Sequence, residues 1–176
     1  REMMDLAERA HHDGLTGLLN WKTFQEKAGA LLVTGNAGAL LVVDTDDFKS
    51  VNDTYGHLAG DRALQQTAAA LSKAFRPQDL IGRLGGDEFA ICIDGHIEYD
   101  RLVQACAAIV EDGVTYPDQH GTQHAVTLSI GGVELHGKAD SYQSAYRQAD
   151  KALYRAKADG KDRYVIEYYR SEQRPE

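Results

Sequence analysis

Two short apolar runs, Leu80 to Leu84 and Glu88 to Ile93, are separated only by Gly85-Gly86-Asp87, and this junction constrains the fold more than any other stretch. Paired glycines between apolar segments predict a tight hairpin, because primed turns need positive φ at little steric cost. The chain must therefore hold an antiparallel strand pair. The missing side chains also allow a large polyanionic ligand to approach the backbone, and Asp87 and Glu88 place acid groups beside that approach. A solvated hairpin tip and a ligand site both fit this turn taken alone.

The elements around it alternate. Asn20 is a good N-cap for a helix over Trp21 to Val33, and Gly38 to Val43 is an apolar run suited to a buried strand. Leu64, Thr67, Ala68, Leu71, Ala74 and Phe75 recur at helical spacing, which predicts a helix over Ala59 to Phe75 stopped by Pro77. Leu102, Cys106, Ile109 and Val110 mark another helix ending near Gly113, and Val126 to Ile130 reads as one strand. Ala145, Ala149, Ala152, Leu153 and Ala156 form one face of a late helix closed by Gly160, before a strand from Tyr164 to Ile166. Helices interleaved with a hairpin predict an α/β (α+β) sandwich, its central sheet mixed and largely antiparallel and flanked by helices.

The Gly38 to Val43 strand runs into Asp44-Thr45-Asp46-Asp47. Reactive groups often sit where a strand meets a loop, since the rigid element fixes them. An EF-hand is excluded, because Phe48 and Lys49 stand where a ligand and a glycine are required. Magnesium asks less of the protein, and Asp44 with Asp87 suffices if strand and hairpin are neighbours. For Asp46 and Asp47 the simpler reading is helix N-terminal charge or capping.

Other chemistries fall away. Gly132 to Lys138 nearly spells a P-loop but Ala139 stands in place of the metal-binding hydroxyl, and the seven histidines show no zinc spacing. A net charge of -8 argues against a nucleic-acid polymer as partner. The 176 residues suit one well-cored domain. Cys92 and Cys106 lie in apolar-periodic segments, as reduced core residues of a cytoplasmic protein would. No run reaches membrane-spanning length and no signal peptide is visible. The chain begins at Arg1, so it is expected to be cut from something longer, whose parent could be membrane-tethered.

Taken together, Asp13-Gly14-Leu15-Thr16-Gly17-Leu18, Asp44 to Lys49, Asn52-Asp53, Gly56-His57-Leu58-Ala59-Gly60-Asp61, Gly85 to Phe89, Ser129-Ile130-Gly131 and Ala152 to Lys157 resemble, in order, the GGDEF family of diguanylate cyclases. The resemblance implies a fold like the polymerase palm and class III nucleotidyl cyclases, and condensation of two GTP into cyclic di-GMP with release of two pyrophosphates. It implies a homodimer with one GTP per subunit, using Mg²⁺, with Mn²⁺ as an alternative. Asp44, Asp87 and the Thr45 carbonyl would hold the metal. Asp87 would also accept a proton, Lys49 would stabilise transition-state charge, and Glu88 would join the catalytic set. Asn52 and Asp61 would read guanine, with Phe48 and His57 beside them, and Gly86, Lys157 and Lys161 would meet the triphosphate. Asp61 has a plainer reading as N-cap or first-turn acid of its helix, Lys49 as a solvated helix lysine, and Lys157 and Lys161 as dipole-complementing lysines on one face at a helix end.

Arg76-Pro77-Gln78-Asp79 matches the family's R-x-x-D product site, so Arg76 and Asp79 are expected to bind cyclic di-GMP and inhibit. Trp21 stands where the family usually has Arg, and Lys161 where Arg is common. The resemblance divides the chain into a helical connector over 1–11 from an upstream sensor module, a catalytic domain over 12–169 and a tail over 170–176. A domain that senses cyclic di-GMP or GTP without turnover is the competing reading, and a cyclase of altered nucleotide preference is a third, disfavoured by Asp61.

Overall fold

The computed structural model describes residues 2–173, with helix α1 at Glu2–Arg9 and strand β1 at Leu19–Asn20. Helix α2, Trp21–Val33, starts where the sequence predicts, with Asn20 Oδ1 accepting the Thr23 N–H at 2.9 Å. Strand β2, Ala37–Thr45, is buried from Ala37 to Val43. A run apolar at every position is what a strand covered on both faces requires. Helix α3, Phe48–Tyr55, follows at once, and α4, His57–Ala74, starts two residues before the Ala59 that periodicity indicates, with Gly56 as N-cap. Asp61 therefore lies in the second turn of α4 and is neither its cap nor a first-turn acid.

Strands β3, Leu80–Gly85, and β4, Glu88–Asp94, form the expected hairpin. Helix α5, Tyr99–Asp112, stops at Gly113, whose φ of 59° lets the chain turn away. Strands β5, Val114–Pro117, and β6, Gln123–Val126, make a separate two-stranded ribbon, and β7 follows at Leu128–Glu134. The single strand expected over Val126 to Ile130 is thus two. It breaks at Thr127, whose carbonyl accepts the Asp46 N–H at 2.9 Å and whose hydroxyl donates to Asp46 Oδ2 at 2.7 Å. Helix α6, Tyr142–Ala158, and strand β8, Tyr164–Tyr168, complete the chain.

The main sheet has six strands in the order β1-β3-β4-β2-β7-β8, parallel at its two edges and antiparallel between them. This is the mixed, largely antiparallel sheet expected. Alternation along the strands splits the core. Leu40, Val42, Ala90, Cys92 and Val133 pack under α2 and α6, while Leu41, Val43, Phe89, Ile91 and Ile130 pack under α4 and α5. Both cysteines are free and buried, and burial pushes each thiol up to about 12, so they are inert core groups.

Helix α6 lies directly on β7. A Cβ on Gly131 would sit 2.0 Å from the Leu153 backbone nitrogen, so a glycine is obligatory there. The P-loop-like run begins inside β7, where a Cβ on Gly132 would meet the Leu41 side chain at 2.3 Å; it is a packed strand and not a phosphate loop. Residues 170–173 of the segment expected as a tail are fastened down: Gln148 Nε2 donates to the Arg170 carbonyl at 2.7 Å and the Glu172 N–H donates to Asp140 at 2.7 Å. Residues 174–176 lie outside the described residues. Among the described residues no helix is long and apolar enough to cross a membrane.

Candidate active site

Register brings the two acidic clusters together. Asp44, next to last in β2, is paired across the sheet with Glu88 of β4 on one side and Ser129 of β7 on the other. Directly opposed residues project to the same face, so Asp44 and Glu88 both rise toward α6. Asp87 occupies the turn beside them, carried by Gly85 and Gly86 at φ 144° and 51°. Arg83 braces that turn: its Nε and Nη2 donate to the Gly86 carbonyl at 2.9 and 2.8 Å, and its Nη1 reaches Asp13 Oδ1 at 3.2 Å. Asp13 in turn accepts from the Thr16 N–H and hydroxyl at 3.0 and 2.7 Å. Sequence reasoning missed this role of Arg83; its only local signal is a cation two residues before the paired glycines.

The charges of this edge are mutually perturbed. Partial burial, reinforced by the Asp44 carboxylate alongside, pushes Asp87 up to about 7. Burial also raises Glu88, against the lowering effect of a hydrogen bond from the Tyr146 hydroxyl. Lys157 supplies the counter-charge through its contact with Asp44 Oδ2; burial works against its ammonium, but the carboxylates outweigh burial and hold it above the ordinary lysine range.

The donors suit a hard cation completed by other oxygens. Asp44 Oδ1 is buried without a hydrogen-bond partner, an orphaned acceptor of the sort a cation would satisfy. Among the described residues no three His, Cys, Asp or Glu side chains gather into a cage. Two carboxylates with phosphate and water are what magnesium commonly accepts, whereas a structural zinc site needs four protein ligands.

Nearby, the Asn52 side chain lies in contact range of Gly60, and Phe48 borders the same spot. Lys49, His57 and Asp61 are exposed, and the structure brings none of them into hydrogen-bond contact with Asp44 or Asp87. Asp47 holds the N-cap position of α3 in a left-handed conformation but makes no side-chain cap bond; it pairs with Lys161 at 2.7 Å. Asp46 is a fastener and no cap: it accepts from Ser129 Oγ at 2.6 Å, from Thr127, and from the Asp162 N–H at 3.0 Å. Lys161 does not share a helix face with Lys157, because α6 ends at Ala158 and Lys161 sits beyond it at φ 63°. A groove of about 330 Å³ opens beside Asp46 and Asp47 between α3 and the β5–β6 ribbon, yet Tyr55, Tyr116, Ser50 and Thr54 line it and none of the expected guanine-reading residues do.

The family profile described as "Diguanylate cyclase, GGDEF domain" matches residues 10–163. The chain belongs to the GGDEF family. This GGDEF domain is 34% identical over 170 residues to diguanylate cyclase DgcS of Shewanella oneidensis, covering 94% of this chain and 55% of that protein. It is 36% identical over 164 residues to diguanylate cyclase DgcM of Escherichia coli, covering 91% of this chain and 39% of that one. The chain therefore spans only about half, or less, of these curated relatives. A third relative, the cyclic di-GMP phosphodiesterase PdeB of Shewanella oneidensis, is 33% identical across 92% of this chain and 19% of its own length. Among solved structures, the coiled coil and GGDEF domain of DgcB from Caulobacter crescentus, in complex with c-di-GMP, superposes with a TM-score of 0.84 at 27% identity, covering 94% of this chain and 90% of that one. Diguanylate cyclase SiaD of Pseudomonas aeruginosa, in complex with its activator SiaC, gives 0.78 at 32% identity, covering 94% and 65%.

Away from the Gly85–Gly86 turn, the GGDEF domain places Arg76 and Asp79 in one knot. Arg76 Nη2 and Nε meet the buried Asp79 carboxylate at 3.0 and 3.2 Å, Nη2 also donates to the Asp94 carbonyl at 3.0 Å, and Asp79 accepts the Asp94 N–H at 3.1 Å. The knot ties the α4–β3 connection to the end of β4. It borders a cavity of about 380 Å³ that His96 and Arg101 also line.

Proposed function

We propose that this domain is a diguanylate cyclase that joins two GTP molecules into cyclic di-GMP and releases two pyrophosphates, acting as a homodimer with one GTP on each subunit. The observation that carries the reading is the placement of Asp87, raised to about 7, against Asp44 with its orphaned oxygen, under the Lys157 ammonium. Asp44, Asp87 and the Thr45 carbonyl would hold Mg²⁺, or Mn²⁺ in its place. The ion when bound supplies charge neutralisation on the triphosphate and a more acidic attacking hydroxyl.

The chain's own groups carry the rest. The ribose 3′-OH of one GTP attacks the α-phosphorus of the other, and Asp87 accepts the hydroxyl proton, a role open to a carboxylate held beside the attacking hydroxyl. Gly86 lets backbone approach the phosphates. Lys157, Lys161 and Lys49 offset the charge spread over the reacting phosphoryl group. Asn52 and Asp61 select guanine, with His57 and Phe48 beside them, since an acid can accept from N1–H and N2–H, a donor pair that adenine lacks. Each subunit presents one GTP, so two must face each other before either hydroxyl can react. An upstream module acting through the helix at Glu2–Arg9 would then set the rate by aligning the pair.

The test is incubation of the purified chain with GTP and Mg²⁺ over a range of protein concentrations, with Asp87→Ala as control. Cyclic di-GMP should form, with specific activity rising with protein concentration, and the variant should be silent. Absence of product at high protein concentration, with tight GTP or cyclic di-GMP binding retained, would establish the sensing module instead.

A further inference from the structure

Tyr146 of α6 belongs to none of the motifs discussed above, yet its hydroxyl donates to Glu88 Oε1 at the root of the catalytic turn. Its ring is stacked on Tyr142, with centroids 5.9 Å apart and 19° between planes. Tyr142 meets Phe24 edge-on at 6.4 Å, and Phe24 is fully buried. Three aromatic rings thus run from the core beneath α2 to a carboxylate on β4. A bond anchored this way restricts the rotamers of Glu88, because neither partner can shift without disturbing packed rings.

Resting on the cyclase reading under Proposed function and on the catalytic place that the family resemblance gives Glu88, we propose that Tyr146 is a positioning residue that holds Glu88 by Oε1 and so presents its other oxygen, Oε2, to the metal and phosphate edge formed with Asp44 and Asp87. A phenol is suited to this, being a donor with an apolar body that packs while its tip stays polar. Asp150, whose charge also acts on Glu88 and Tyr146, makes the fastening more useful, since an unheld Glu88 would be repelled by both Asp44 and Asp150. Outer partners of ligating carboxylates typically contribute about 10- to 100-fold in metal affinity or activity.

Tyr146→Phe removes the hydroxyl and keeps the stacked ring, so it tests the bond and not the packing. The probe is Mn²⁺ with an α,β-methylene analogue of GTP, read by water-proton relaxation on the full chain. Mn²⁺ affinity should fall about tenfold in Tyr146→Phe, and turnover should fall with KM for GTP within about twofold. The Tyr146→Phe/Glu88→Gln double variant should bind Mn²⁺ no more weakly than Glu88→Gln alone, because Tyr146 acts through Glu88. Unchanged Mn²⁺ affinity in Tyr146→Phe, or additive losses in the double variant, would overturn the proposal while leaving the cyclase reading intact. A wild-type chain that binds no Mn²⁺ with the analogue and makes no cyclic di-GMP would overturn the parent reading, and this proposal with it.

Discussion

The Asn52 side chain of α3 fills the space that a side chain at position 60 of α4 would need: a Cβ on Gly60 would lie 1.9 Å from Asn52 Oδ1. The glycine therefore keeps open the seat of the asparagine assigned to guanine. Asn52 is flexible and half-buried, so it can swing away at little cost. Gly60→Ala is expected to leave the melting temperature within a few degrees of wild type while weakening GTP binding about tenfold, the loss of roughly one hydrogen bond to the base. Calorimetric titration with GTP beside a melting curve separates the two effects, and a large loss of stability with unchanged GTP affinity would refute the assignment.

Gly131 gives the opposite result on the same substitution. Its would-be Cβ meets backbone, at 2.0 Å from the Leu153 nitrogen and 2.5 Å from the Ala149 carbonyl, so α6 must lift from β7. Gly131→Ala should cost about 3 kcal/mol or more in urea denaturation, the range for overpacking a rigid core. A cost near zero would mean that α6 is free to shift.

Asp87 makes stability depend on pH in a definite direction. Its folded-state value of about 7 lies above the ordinary 3.8, so between these values the native state binds more protons than the unfolded chain. Stability from this group is then complete below about pH 4 and is lost as pH rises through about 7. Asp87→Asn should flatten that part of a melting-temperature profile recorded without divalent cations. An unchanged slope would show that Asp87 is not the perturbed group.

Arg76 holds Asp79, and Asp79 holds the Asp94 backbone, so replacing the arginine removes a half-exposed cation and leaves a buried carboxylate without its counter-charge. Arg76→Ala should raise the cyclic di-GMP concentration needed for half-inhibition at least about tenfold, with initial turnover preserved, as expected on loss of a bidentate phosphate clamp. Product titration of initial rates checks it. Unaltered inhibition would remove the product-site assignment.

Arg83 braces the Gly85–Gly86 turn without touching Asp44 or Asp87. Arg83→Lys keeps one charge but cannot span both the Gly86 carbonyl and Asp13, so turnover should fall about tenfold with the fold retained. Equal activity would show that the paired glycines hold their conformation unaided.

Much of the architecture is local and therefore legible. Asn20 caps α2 as its side-chain chemistry requires, Gly113 ends α5, and Gly85-Gly86 turns the hairpin. Helix α3 was legible only as an unbounded helix beginning near Asp47, because Phe48, Val51 and Tyr55 recur at i, i+3 and i+7 over just eight residues, fewer than the window in which such a period is read. The β5–β6 ribbon was missed although Pro117-Asp118 and Gly121 are turn signals. Its stability comes from Asp118, which accepts the His120 and Thr122 N–H groups and His124 Nε2, and from His124 stacked on Tyr55 at 4.0 Å. Thr127 breaks the strand after it because Asp46, 81 positions earlier, takes its hydroxyl.

The sequence by itself determined which groups are candidates for chemistry, namely two acidic clusters, one on a glycine turn, and the cations at 157 and 161, together with the family to which their order belongs. Only the tertiary structure decided how they meet. Asp44 opposes Glu88 because β2 pairs with β4 in one register, and a slip of one residue would send the two carboxylates to opposite faces. Lys157 reaches Asp44 across 113 residues because α6 is pressed onto β7 at Gly131, and Tyr146 reaches Glu88 from the same helix. Register and helix docking are set by burial of the whole sheet, a long-range balance that no local spacing encodes.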